Sequence, residues 1–138
     1  MNAREVERVL KRLRAICLAL PESSERLSHG EPTFFVAAKS GKGGKVFVSF
    51  VNDHHHDGIV GITCPAEPGA QATLIEADPR RFYRPPYVGA SGWIGMRLDA
   101  QLDWDEIAEI ALESWRLVAP KRLVAAYDAG LRGVSAKS

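Results

Sequence analysis

Phe82-Tyr83-Arg84-Pro85-Pro86-Tyr87-Val88-Gly89-Ala90-Ser91-Gly92-Trp93-Ile94-Gly95-Met96-Arg97-Leu98 reads as a hairpin whose two arms face different surroundings. Pro85 and Pro86 cannot donate ladder hydrogen bonds, so Tyr83 to Tyr87 fits an edge strand or an extended lead-in. Gly89 to Gly92 supplies the turn. Beyond it, Ile94, Met96 and Leu98 alternate with Trp93, Gly95 and Arg97, the period-two pattern of a strand with one buried face. Trp93 and Arg97 then share the more exposed face.

Outward from this hairpin the pattern alternates between helix and strand. Val6, Val9, Leu10, Leu13, Cys17 and Leu20 recur at steps of three and four, which predicts an amphipathic helix over Arg4 to Ala19, stopped by Pro21. Glu22 to His29 is polar and reads as a connection. Thr33 to Ala37 and Lys45 to Val51 form a hairpin around Ser40 to Gly44, with Val46, Val48 and Phe50 facing away from Phe47 and Val51. Asn52 to Gly58 turns the chain into a third strand, Ile59 to Cys64. Ala66, Ala70, Leu74 and Ala77 suggest a short helix ending near Asp78-Pro79. Asp103 caps the last helix, with Glu106 in capping-box position and Trp104, Ile107, Ala111, Leu112, Trp115 and Val118 along its buried stripe. Pro120 breaks or kinks that helix, Gly130 can end it, and residues 131–138 are expected to fray. The order α-β-β-β-α-β-β-α predicts an α+β domain, 1–138, with helices on one face of a five-stranded antiparallel sheet.

Charge gives no direction by itself, because 18 Lys and Arg stand against 17 Asp and Glu in 138 residues. The 2 cysteines suit reduced thiols better than a disulfide framework. Neither a transmembrane-length apolar run nor a signal peptide is visible, so a cytoplasmic protein without membrane contacts is expected. The acidic residues at the start of the last helix complement its dipole and carry no functional weight.

With this order established, Leu18-Ala19-Leu20-Pro21-Glu22, Gly44-Lys45-Val46-Phe47-Val48, and Tyr83-Arg84-Pro85-Pro86-Tyr87 with Gly92-Trp93-Ile94 resemble the MmcQ/YjbR-like family of small bacterial proteins. Glu113 to Arg122 is similar as well, with Ser114-Trp115 where many members have Ser-Tyr. The resemblance implies a single domain with a secretion-chaperone-like sheet, described as DNA-binding because its hairpins look like a double wing. It brings no catalytic residue set.

The residues themselves offer three kinds of chemistry. Gly41-Lys42-Gly43-Gly44-Lys45 lacks P-loop spacing, no nucleophile elbow occurs, and no paired carboxylates or nucleophile with a base can be assembled, so a non-enzymatic protein without cofactor is expected. Consecutive His54, His55 and His56 between Asp53 and Asp57 lack the spacing of protein zinc sites, and no metal is expected there. For nucleic acid, Lys39, Lys42 and Lys45 on one hairpin and Arg80, Arg81, Arg84 and Arg97 around another can neutralise phosphates, while Tyr87 or Trp93 can stack on a base. Arg4, Arg8, Lys11 and Arg12 on the first helix offer a second basic stripe. The leading expectation is weak DNA binding of low sequence specificity. The alternative is a protein- or small-molecule-binding module in which Tyr83, Tyr87, Trp93 and Arg97 line a pocket.

Overall fold

The computed structural model describes residues 1–99 and 102–137. Asn2 caps helix α1 (Ala3–Leu18) by accepting the Glu5 N–H at 2.8 Å, and Val6, Val9, Leu10, Leu13 and Cys17 are buried along one face. After Pro21 come β1 (Ser23–Ser28), β2 (Glu31–Val36), β3 (Lys45–Asn52), β4 (Val60–Cys64) and α2 (Ala70–Ala77). The hairpin region holds β5 (Phe82–Tyr83), a 3-10 turn (Val88–Ser91) and β6 (Ile94–Arg97), and α3 (Trp104–Val118) and α4 (Lys121–Lys137) close the chain. All strands join one antiparallel sheet in the order β1-β2-β3-β4-β6-β5.

The α+β class and antiparallel sheet are as expected from sequence, but the sheet has six strands, not five. The additional strand is β1, which lies where a polar connection was expected. Ser23-Ser24-Glu25-Arg26-Leu27-Ser28 has little β propensity. Its pairing with β2 runs from Ser23↔Val36 to Ser28↔Glu31, and Arg14 of α1 grips Glu25 through two bonds of 2.5 and 2.8 Å. Tertiary pairing overrides local preference on this edge.

A second correction concerns β3. Phe34 pairs with Val48 but Phe35 pairs with Val46, so Phe47 is an extra residue and the alternation inverts around it. Phe47, Val48 and Phe50 therefore all enter the core, whereas Val46 and Val51 are only partly buried.

The core packs the helices on one face of the sheet. Trp115 is its largest fully buried side chain; its Nε1–H donates to the Pro21 carbonyl at 3.1 Å, and the neighbouring Ser114 hydroxyl donates to the Pro65 carbonyl at 2.8 Å. The Ser-Trp pair thus pins α3 to two distant points of the chain. Asp103 caps α3 by accepting the Asp105 and Glu106 N–H groups at 3.0 and 3.2 Å. The Glu106 carboxylate turns to Arg81, at 2.6 and 3.2 Å, instead of closing a capping box. Ala119 is extended, as a residue before proline prefers, and this separates α3 from α4. Gly130 lies within α4, which continues to Lys137, and Ser138 lies outside the described residues. Among the described residues no helix is long and apolar enough to cross a membrane. Cys17 and Cys64 are buried free thiols, and burial pushes the Cys64 thiol up to about 12 and that of Cys17 upward too, which keeps both unreactive.

Candidate functional site

Register alone places small residues side by side across the sheet. Thr33 pairs with Ser49, Ser49 with Thr63, Thr63 with Gly95, and Gly95 with Tyr83. This row faces away from the helices and forms the floor of a cavity of about 500 Å3, a size typical of small-molecule sites, which run from roughly 300 to 1,000 Å3. At Gly95 a Cβ would meet the Tyr83 ring, with Cε1 only 2.6 Å away, so the missing side chain is what lets the phenol lie over the strand.

Turns from both ends of the sheet wall the cavity. Ser28, His29 and Glu31 come from the β1–β2 turn, His54, His55 and Asp57 from the β3–β4 turn, and Pro85, Pro86, Tyr87, Val88 and Trp93 from the β5–β6 connection. The β3–β4 turn is shaped by its own aspartates: Asp53 Oδ1 accepts the Gly58 N–H at 2.7 Å, and Asp57 Oδ1 accepts the Ile59 N–H at 3.0 Å. Across the opening, the His55 and Tyr87 rings lie 5.9 Å apart. Gln71 of α2 braces the opposite wall, donating from Nε2 to the Gly89 and Trp93 carbonyls at 2.9 and 2.6 Å. Its role leaves no mark in sequence, since a lone glutamine on a short helix has no pattern to betray it.

Tyr87 is the least ordinary of these residues. The residue is 87% exposed, and its backbone, at φ 64° and ψ −71°, sits in a γ-turn closed by the Val88 N–H donating to the Pro86 carbonyl at 2.7 Å. A positive φ strains any residue bearing a Cβ, and such strain concentrates where a side chain must be aimed.

Burial sets the electrostatics. Burial raises the Glu31 carboxyl above its usual range, against an opposing hydrogen bond from the Asn52 N–H at 2.8 Å. The Tyr83 phenol is pushed up to about 12, first by burial and then by the charge of Asp57. Arg97, expected to line the pocket, instead pairs with Asp99 through two bonds of 2.9 Å, close enough to Tyr83 to act on it electrostatically. Tyr83, Tyr87 and Trp93 do converge on the cavity, as the pocket alternative requires.

The basic residues divide differently. Lys39 and Lys42 exchange backbone hydrogen bonds of 2.8 and 3.0 Å around Ser40-Gly41, giving a small projecting turn, and these two and Lys45 are exposed. The pairing directions put this turn and Arg84 at one end of the sheet, whereas Arg80, Arg81 and Arg97 lie at the other. Arg81 is held by Asp78 at 2.6 Å as well as by Glu106, and Arg97 by Asp99, so those guanidinium groups already have carboxylate partners. On α1, Arg12 lies over the Trp104 ring, 5.1 Å from its centroid. Among the described residues no group of three or more His, Cys, Asp or Glu is placed to hold a metal ion.

A six-stranded antiparallel sheet, with helices packed on one face and turns arching over the other, defines an α+β domain with one open, walled sheet face. The chain belongs to the YjbR family, whose model matches residues 18–117. Its fold is similar to that in the crystal structure of the Deinococcus radiodurans protein DR2400, a DUF419 domain, with a TM-score of 0.64 and 21% identity over 79% of this chain and 77% of that one. No curated protein matches the chain.

Proposed function

We propose that the protein is a non-enzymatic binding module whose ligand is a small molecule held in the cavity on the open sheet face. The observation that carries this reading is the convergence of Tyr83, Tyr87 and Trp93 beside a floor of Thr33, Ser49 and Thr63, around an open cavity of about 500 Å3. Apolar walls with a few placed polar groups are the usual construction of such sites. Nitrogen–proton correlation spectra recorded with indole and related small aromatic compounds test it. Shifts are expected at Thr33, Ser49, Thr63 and the Trp93 indole N–H. Shifts confined to the helix face, or none at millimolar compound, overturn the proposal.

DNA is the second reading, favoured by the exposed Lys39, Lys42, Lys45 and Arg84 at one end of the sheet. Phosphate contacts of this kind support dissociation constants on the order of 10⁻⁴ to 10⁻⁶ M with little sequence preference. Replacing Lys42 and Lys45 with Glu should weaken binding to a labelled duplex and flatten its salt dependence, whereas Arg81→Glu should matter less because that guanidinium is already paired. Equal binding by wild type and the Lys42/Lys45 variant removes this reading.

A further inference from the structure

We infer that the cavity takes an organic cation, a primary or quaternary ammonium carried on a flat apolar body. This deepens the small-molecule reading above by naming the ligand's charge.

The charged lining is one-sided. Glu31 and Asp57 contribute carboxylates, and the lining contains neither lysine nor arginine among the described residues. Each carboxylate accepts one backbone N–H, from Asn52 and from Ile59, and the bonded oxygens are Glu31 Oε2 and Asp57 Oδ1. Glu31 Oε1 and Asp57 Oδ2 thus remain available to a ligand. Arg97 bonds Asp99 through Nε and Nη2 and is not part of the lining.

The rings supply the second half of the recognition. Tyr83 and Trp93, both partly buried, stand around the same space with the exposed Tyr87 at its rim, and an aromatic face attracts a cation through its quadrupole. On this proposal the flat apolar body lies along Trp93, Val46 and Val51 of the lining, with its ammonium toward Glu31 and Asp57. His29, His54 and His55 also reach the lining, and an anionic ligand would have to use them against the two carboxylates.

Three indoles of similar shape serve as probes: tryptamine as the cation, 3-ethylindole as the neutral body and indole-3-propionate as the anion. Titration calorimetry at pH 7.5 is expected to rank tryptamine at least tenfold tighter than indole-3-propionate, with 3-ethylindole between them. The double variant Glu31→Gln, Asp57→Asn should bring tryptamine to the affinity of 3-ethylindole while leaving 3-ethylindole unchanged. Because amides can still accept the Asn52 and Ile59 N–H groups, the variant should fold, which its melting curve checks. The exposed Tyr87→Ala provides a second variant and should weaken tryptamine more than 3-ethylindole. Equal binding of all three indoles overturns the cation inference and leaves the small-molecule reading standing. Tighter binding of indole-3-propionate overturns it in favour of an anion held by the histidines. Binding of none of the three removes both.

Discussion

On the helix side of the sheet, Phe34, Phe47, Ile62 and Met96 share a sealed core with Leu13, Ile107 and Trp115, whereas on the other side Thr33, Ser49, Thr63 and Gly95 lie in a row beneath turns that stand clear of them. Both faces come from the same strands, so the difference was set residue by residue at alternate positions. Polar residues on a second face need no function, since antiparallel sheets commonly face water on one side. The turns are harder to explain that way. Tyr87 and Trp93 arch over small residues without filling the space beneath them, and Gln71 holds their backbone in place. Stability accounts for one face, and the binding proposed above would account for the other.

The sharpest break between the faces should come from Trp115→Ala. That ring is fully buried, so its removal is expected to cost about 3 to 5 kcal/mol, measured by urea unfolding. Binding to the open face should persist in whatever fraction stays folded. A midpoint close to wild type would mean that the core assignment is wrong. Next in size is Gly95→Ala, which belongs to the open face but disturbs both properties. The added methyl group must displace the Tyr83 ring, an overpacking that costs about 1 to 3 kcal/mol and should abolish tryptamine binding. Unchanged calorimetric binding would show that Tyr83 does not shape the site.

These two residues also show what sequence can and cannot reveal. Trp115 sat on a helical stripe of period 3.6, and Gly95 alternated with Ile94 and Met96, so the face of each was legible from spacing. Phe47 is expected opposite Val48 and Phe50 but joins them in the core, because a bulge is a property of the strand pair, set by how Phe34 and Phe35 meet Val48 and Val46. β1 was missed for a related reason: its polar residues acquire strand geometry from β2 and from Arg14. Of the candidate ligand residues, Tyr83, Tyr87 and Trp93 were found by composition, but His29, Glu31 and Asp57 join them only through folding, from turns far apart in the chain. Arg97 looked free in sequence because its partner, Asp99, stands two residues away and reads equally well as a solvated acid.

That pair supplies a smaller effect at the rim of the open face. The hydrogen bonds from Arg97 hold the Asp99 carboxyl below its ordinary range, so the folded state favours its ionised form. The stabilisation is present above the unfolded carboxylate value, about 3.9, and is lost as pH falls through the lower folded one. Arg97 is partly exposed, which reduces the worth of the pair through solvent screening. Asp99→Asn should therefore cost about 0.5 to 1 kcal/mol near pH 7, and the gap between variant and wild type should close as the solution is acidified below the ordinary carboxylate range. A gap that stays constant with pH would assign the loss to packing instead of charge.

The smallest expected change in stability belongs to Tyr87→Gly, and for that reason it tests the comparison most closely. In the folded state Tyr87 is 87% exposed, so removing its ring sacrifices little packing. The backbone at φ 64° is strained for tyrosine and relaxed for glycine. Against that gain, glycine adds conformational freedom to the unfolded chain, which costs roughly 0.5 to 1 kcal/mol. The two effects oppose each other, and unfolding free energy should change by no more than about 0.5 kcal/mol. Tryptamine affinity should fall all the same, because the ring facing His55 across the opening is gone. Tyr87→Ala separates the causes: it removes the ring but keeps a Cβ at positive φ, so it should bind as poorly as the glycine variant and be slightly less stable. If Tyr87→Gly instead lost 2 kcal/mol or more while binding was unaffected, the residue would belong with Trp115 as a structural support, and the strained turn would need an explanation in folding.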